Sequence, residues 1–204
     1  IVATAPQKSG KTHFGLTAPA KKRGKRMGLG FFAIDRGDEG VIQKFQREKE
    51  IFRCDMRIDL PRPGPKGYTQ EQIDKTTESA GRLWEKFLDR YEYALEHFRS
   101  IVVDTDTELW EMHRLARFGK LEQVRPHHYG IPNSEHRELF RMAYDTDVNL
   151  VFLQKMKDEY VNDSFTGRMK AAGFKDAPYQ AQVNVTLGRI KDEASGVSLF
   201  SATI

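Results

Sequence analysis

The sequence predicts an α/β domain with a mostly parallel central sheet, helices on both faces and an antiparallel hairpin at the C-terminal end. Three observations carry that expectation. Short strand-like runs alternate with segments of three- and four-residue hydrophobic periodicity, the order produced by parallel strands joined through helices. The runs Phe31-Phe-Ala-Ile34 and Ile101-Val-Val103 are apolar at every position and read as buried strands. The C-terminal segment instead alternates apolar and polar residues on either side of a polar turn.

The elements follow in order. Ile1 to Ala3 has the character of a strand end, then comes a glycine-containing loop and a short helix through Leu16, stopped by Pro19. A basic stretch, Lys21 to Arg26, precedes the strand Gly30 to Asp35, and Glu50 to Ile58 reads as another strand. Pro61-Arg-Pro-Gly-Pro65 is a loop, because proline donates nothing to a strand ladder. Thr77 to Phe98 is the strongest helix, with Leu83, Trp84, Phe87, Leu88, Tyr91, Leu95 and Phe98 along one face. Ser100 to Asp104 is an apolar strand, and Leu109 to Phe118 a helix closed by Gly119. Asn133 is the expected N-cap of a helix carrying Leu139, Phe140, Ala143 and Tyr144, which leads into the strand Asn149 to Gln154. After a long polar loop, Ala181 to Leu187 and Val197 to Ile204 form the hairpin about a turn at Lys191 to Gly196.

Composition narrows the class. The chain has 204 residues, 39% hydrophobic and 30% charged, which fits one globular domain over 1–204 and excludes disordered, collagen-like and membrane-spanning classes. A chain of this length buries about 70% of its unfolded surface, so no disulfide or metal is needed to hold a core. The lone Cys54 cannot close an internal bridge, and no charged leader or long apolar run is present, so a cytoplasmic location away from membranes is expected. With 33 Lys and Arg against 29 Asp and Glu, the net charge of +4 is too small to decide for or against nucleic acid.

The decisive segment is Ala5-Pro-Gln-Lys-Ser-Gly-Lys-Thr12, set between a strand end and a helix. It matches a phosphate-binding loop except that Ala5 stands where the first glycine belongs. In such a loop successive backbone N–H groups wrap a polyphosphate and the helix N-terminus adds partial positive charge. The expected nucleotide contacts are Pro6, Gln7, Lys8, Ser9, Gly10, Lys11, Thr12 and His13, with Lys11 on the β- and γ-phosphates and the Thr12 hydroxyl on Mg²⁺. A lysine-containing turn could carry the same letters by accident, so a second motif matters. Asp104, ending an apolar strand, is that motif: it is the carboxylate expected to hold Mg²⁺ through a water. Asp106 and Glu108 are expected to be solvated. For the group that positions the attacking water, Ile34-Asp-Arg-Gly-Asp-Glu-Gly40 offers Glu39 first and Asp35 second, unless the segment is simply a polar turn.

These motifs, in this order over nearly the whole chain, resemble the RecA-like ATPase core. Pro6-Gln-Lys-Ser-Gly-Lys-Thr-His-Phe14 with Asp104-Thr-Asp-Thr-Glu-Leu-Trp110 is similar to the core-only RecA-type ATPases of bacteriophages, the Sak-type single-strand annealing proteins. Ala5, the short first strand and the lack of an N-terminal oligomerisation arm depart from that pattern. The resemblance implies an ATP- and Mg²⁺-dependent single-stranded-DNA-binding protein that promotes annealing or strand exchange in the bacterial host cytoplasm. It implies a homo-oligomer, filament or ring, with ATP at the subunit interface, and a single-strand-binding protein as a further partner. By the same resemblance Gln154 senses the γ-phosphate and opens a mobile DNA loop containing Lys155, Lys157, Arg168, Lys170 and Lys175, interleaved with Tyr160, Phe165 and Phe174. Cations on phosphates and rings on unpaired bases are the composition of single-strand binding, although a solvated loop has it too. Lys120 to Asn133, with Arg125, His127, His128 and Tyr129, corresponds to the other DNA loop. Arg189 or Lys191 from the hairpin is expected to reach a neighbour's site and stabilise the transferred phosphoryl group. Cys54, His113 and His136 lack zinc-ligand spacing. A P-loop motor such as a helicase or packaging ATPase, a small-molecule phosphotransferase, and a binding module with a degenerate nucleotide site share parts of this pattern.

Overall fold

A computed structural model describes residues 1–21, 24–62, 64–65, 67–119, 126–191 and 198–204. The chain is α/β, with β1 (Val2–Ala5), α1 (Lys11–Leu16), β2 (Met27–Ala33), α2 (Ile42–Gln46), β3 (Ile51–Asp55), α3 (Gln70–His97) and β4 (Phe98–Asp104) in its first half. There follow α4 (Asp106–Phe118), a 3₁₀ turn (Pro126–Tyr129), α5 (Gly130–Tyr144), β5 (Asn149–Val161), β6 (Ser164–Ala171), α6 (Ala177–Gln180), β7 (Asn184–Lys191) and β8 (Ser198–Thr203). The sheet order is β3-β2-β4-β5-β1-β7-β8, with β6 paired to the outer part of β5. Neighbours from β3 through β7 are parallel, and only β8 and β6 run antiparallel to their partners. No helix among the described residues is long and apolar enough to cross a membrane.

Two apolar layers cover the sheet. Leu16, Ile42 and Phe45 from α1 and α2 pack with Phe31, Val102 and Leu153 on one face. On the other face Trp84, Phe87 and Tyr91 of α3 join Leu109 and Met112 of α4 and Leu139 and Phe140 of α5, over Phe32, Ile101 and Phe152. The buried Tyr91 hydroxyl donates to the Leu139 carbonyl at 2.6 Å, so its polar end is satisfied where α3 meets α5.

Three of the differences from expectation have a clear local reason. Helix α3 starts at Gln70 instead of Thr77, because Thr69 and Gln72 form a capping box: Thr69 Oγ1 accepts from the Gln72 N–H at 3.2 Å and Gln72 Oε1 from the Thr69 N–H at 2.9 Å. Asn133 lies within α5, whose first turn continues directly from the 3₁₀ turn, so the capping preference of asparagine is not used. The expected loop beyond Gln154 is instead a two-stranded ribbon. Asn162 and Asp163, at φ 49° and 60°, make the tight turn that returns the chain antiparallel to itself. Its side chains from Val161 to Lys170 are exposed, so no apolar alternation announces the strands.

The layer containing α1 depends on a close approach. A Cβ on Gly15 would lie 2.8 Å from Val102 Cγ1 and 3.0 Å from Leu153 Cδ1. We expect Gly15→Val to lift α1 from the sheet and lower stability by about 1–3 kcal/mol, read as a lower denaturant midpoint at unchanged slope. An unchanged midpoint would show that the contact is not tight in solution.

Candidate functional site

The loop after β1 and the first turn of α1 form one wall of an open cleft of about 760 Å³ at the C-terminal ends of the parallel strands. Lys8 and Gly10 take left-handed φ values of 60° and 82°, which curl the loop. Lys11 reaches back over it, its Nζ donating to the carbonyls of Ala5 at 3.1 Å and Pro6 at 2.9 Å. Gln7, Lys8, Ser9, Gly10, Lys11, Thr12 and His13 line the cleft, whereas Pro6 contributes only its carbonyl to Lys11. Because α1 has only six residues, the loop and Lys11 define this wall more than a long helix dipole does.

The opposite side is acidic at its base. The Thr12 hydroxyl donates to Asp104 Oδ2 at 2.5 Å, joining residues 92 positions apart in sequence. Asp104 is 2% exposed, and burial pushes its carboxyl up to about 7; Asp35 adds to that rise while the Thr12 hydroxyl and Lys11 oppose it. Burial likewise lowers the Lys11 ammonium, against the pull of Asp104 and Asp35. A hydroxyl beside a carboxylate is a hard-oxygen pair that suits Mg²⁺, which takes few protein ligands and keeps waters or phosphate oxygens for the rest. Gly37 lies close against the pair: a Cβ there would stand 2.9 Å from Asp35 Oδ1 and 3.2 Å from Thr12 Oγ1.

Among the acidic candidates for the second strand end, Asp35 lines the cleft and Glu39 does not. Asp35 Oδ1 accepts from the Gly37 N–H at 2.7 Å. Glu39 is turned outward, 62% exposed, and pairs with Arg57 at 3.2 Å, while Asp38 is buried against the Arg53 guanidinium. The expectation for Glu39 is therefore corrected. The turn at Gly37 sends Asp35 inward and leaves Glu39 beside β3.

Gln154 needs a second correction. Side chains alternate along β5, so Gln154 faces α4 and α5 while Lys155 faces the cleft. Gln154 Nε2 donates to Asp106 Oδ2 at 2.7 Å and to the Phe174 carbonyl at 3.2 Å, both buried. Asp106 is 0% exposed, and its Oδ1 is 2.7 Å from His136 Nε2, so it is an interior acceptor and not the solvated carboxylate expected. Glu108 is not simply solvated either, since its Oε1 lies 2.6 Å from Lys155 Nζ. His113, stacked on Trp84 at 3.8 Å, is held by burial well below the ordinary histidine value, at about 3, with His136 and Arg117 adding to the fall, although the Glu135 carboxylate 2.8 Å from its Nε2 acts in the opposite sense.

The remaining candidates are spread away from the cleft. Lys157, Arg168 and Lys170 stand exposed on the ribbon, where Lys157 is directly opposite Lys170. Lys175 is exposed beyond the ribbon, but Phe174 is buried in the core beside His136 and offers no ring to solvent. His128 is exposed on the 3₁₀ turn, while Arg125 and the middle of the basic stretch, Lys22 and Arg23, lie outside the described residues. Arg189 is bound to Ser198 Oγ at 2.9 Å and rests 5.9 Å from the Phe200 ring; Lys191 ends β7. Phe200 itself was missed. It is 61% exposed, lines the cleft and lies over Gly10, where its only sequence signal is one place in an alternating hairpin.

No protein-family model and no curated protein matches the chain. The functional reading accordingly rests on the cleft. Among the described residues no group of three or more His, Cys, Asp or Glu side chains is arranged to hold a metal ion, so a cation at Thr12 and Asp104 would need oxygens from a bound ligand or water.

The buried His113 generates a pH dependence with a defined sign. Its proton is bound in the unfolded chain below about 6.5 but in the fold only near 3, so its contribution is intact above the first value and is lost as pH falls toward the second. In this window wild-type stability should fall up to about 1.4 kcal/mol per pH unit more steeply than that of His113→Gln. Equal slopes in denaturant unfolding across the window would disprove a buried neutral His113.

Proposed function

We propose that the protein is a Mg²⁺-dependent ATPase with a RecA-like P-loop core that binds single-stranded DNA and promotes annealing or strand exchange. The observation that carries this reading is the contact between Thr12, at the end of the glycine-lysine loop, and Asp104, at the end of a buried parallel strand. It unites the two motifs that sequence alone could only set in order. In this reading the N–H groups from Lys8 to Thr12 and the Lys11 ammonium bind the phosphates, and Thr12 and Asp104 hold Mg²⁺. When bound, the cation neutralises charge on the phosphate oxygens. Asp35, the acidic group that shares the cleft, orients the water whose oxygen bonds the terminal phosphorus as the bond to the β-phosphate oxygen breaks, giving the nucleoside diphosphate, inorganic phosphate and a proton. Phe200 supplies a flat apolar surface beside the loop for a nucleobase.

Single-stranded DNA belongs on the ribbon. Lys157 opposes Lys170, an arrangement that is repulsive by itself and is relieved by an anion lying across it, and Arg168 is two residues along the same strand. Near the tip the Tyr160 and Phe165 rings are 5.7 Å apart and exposed, a surface on which unpaired bases can stack. Arg189 or Lys191 would act across the interface of a homo-oligomer, and a single-strand-binding protein would supply the DNA.

ATP turnover measured with and without single-stranded DNA tests the reading, and strong stimulation is expected. Turnover that ignores DNA would favour a small-molecule phosphotransferase, and duplex unwinding would favour a motor. Lys11→Ala should reduce turnover by about 100-fold or more; unchanged hydrolysis would remove the assignment. The logarithm of DNA affinity should fall linearly with the logarithm of salt concentration, and Arg168→Gln with Lys170→Gln should reduce that slope by about 0.7 per charge. A slope that the double variant leaves unaltered would move the DNA site elsewhere.

A further inference from the structure

Lys155 occupies the point where the cleft and the ribbon meet. Its side chain lines the cleft together with Lys11 and Thr12, and its Nζ lies between Glu108 Oε1 at 2.6 Å and Asp35 Oδ2 at 3.1 Å. Its backbone is the first rung of the ribbon. The Lys155 N–H donates to Thr107 Oγ1 at 2.9 Å, the Thr107 hydroxyl donates to the Ala172 carbonyl at 2.8 Å, and the Ala172 N–H donates to the Lys155 carbonyl at 2.8 Å. These three hydrogen bonds tie the outgoing strand, the returning strand and the first turn of α4 into one ring. Beyond it the ladder continues through Met156 with Ala171 and Lys157 with Lys170.

We infer that Lys155 is the residue that contacts the terminal phosphate of a nucleoside triphosphate in this cleft and transmits its presence to the ribbon. The inference rests on the nucleotide-binding reading above and deepens it. A lysine shared by two carboxylates at the edge of an open cleft has an alternative partner of the same sign and greater charge in a terminal phosphate, and charge-assisted hydrogen bonds are strong enough to choose between them. Exchanging Glu108 and Asp35 for a phosphate moves the side chain whose own peptide groups start the ribbon. That gives a two-position element with a local cause, the form that ligand switches take. Gln154 is poorly placed for the same task, since its amide is buried on the opposite face of β5 against Asp106 and Phe174.

The test compares the affinity of a non-hydrolysable triphosphate analogue with that of the diphosphate, for wild type, Lys155→Met, Lys155→Arg and Glu108→Gln. Lys155→Met should lose about tenfold or more on the triphosphate with the diphosphate changed less than about twofold, and Lys155→Arg should recover part of the loss. In wild type the triphosphate should also change the rate of tryptic cleavage at Lys157, Arg168 and Lys170, an effect absent from Lys155→Met. Equal losses on both nucleotides, an unchanged preference, or an unaltered cleavage response would overturn the inference while leaving the nucleotide site standing. Failure of the wild-type chain to bind either nucleotide would overturn both readings. If Lys155→Met does not fold, Glu108→Gln decides: weakening the competing carboxylate should raise the triphosphate preference, and no rise would count against Lys155.

Discussion

The cleft depends on how closely α1 lies against the sheet. Strands β1 and β4 are separated by β5, so their ends stand about 10 Å apart, two strand spacings. A residue at the end of the β1 loop reaches Asp104 only if the following helix crosses over β5 and stays low on it. Gly15 permits that approach by leaving Val102 and Leu153 room beneath the helix backbone. Thr12 is then carried over β5 to a 2.5 Å contact with Asp104. Gly37 makes a comparable allowance from the side, where the turn after β2 passes the same two oxygens. The meeting of the loop and the carboxylate thus goes together with close packing at Gly15 and Gly37.

Alternation along β5 divides the remaining polar groups into two systems. Residues facing α1 enter the cleft, and residues facing α4 and α5 enter a closed interior network. In that interior Asp106 receives Gln154 on one oxygen and faces His136 on the other, which meets the requirement that a buried carboxylate have hydrogen-bond partners. The Gln154 carbonyl oxygen and the Nδ1 atoms of His113 and His136 have no such partner, so the network is incompletely satisfied among the described residues. Buried hydrogen bonds such as those to Asp106 tie together the elements that carry them. Here the elements are α4, α5, β5 and the chain returning at Phe174.

The fold was legible where burial is two-sided and periodic. The apolar strands at Phe31 and Ile101 and the heptad-like face of α3 announce themselves in this way and are present, whereas the closing hairpin is present with β8 largely exposed and was marked by alternation alone. The ribbon did not, because strands exposed on both faces need no apolar alternation and the polar residues from Asp158 to Lys170 look the same in a loop. Within the cleft, Lys11, Thr12 and Asp104 were singled out by motif spacing, and the fold brings all three to one wall and base. Asp35 and Glu39 could not be separated, since which one faces inward is decided by the turn at Gly37. Gln154 was expected at the γ-phosphate and Lys155 in the DNA loop for a related reason: the strand phase that turns Gln154 to the interior and Lys155 to the cleft is set by pairing with β1 and β4, which the sequence does not display.

The ribbon's exposure bears on how it can be controlled. A two-stranded ribbon without an apolar cover is marginal by itself, so its conformation is set largely where it joins the domain. At that junction the Thr107 hydroxyl both accepts from the outgoing strand and donates to the returning one. Thr107 lies in the first turn of α4, immediately after the segment carrying Asp104, and the residue it holds is Lys155, whose side chain points into the cleft. Any displacement of the Asp104 segment or of Lys155 therefore changes the geometry of the ring that anchors both strands. A long relay through the core is unnecessary, because the cleft and the base of the ribbon share the same few residues.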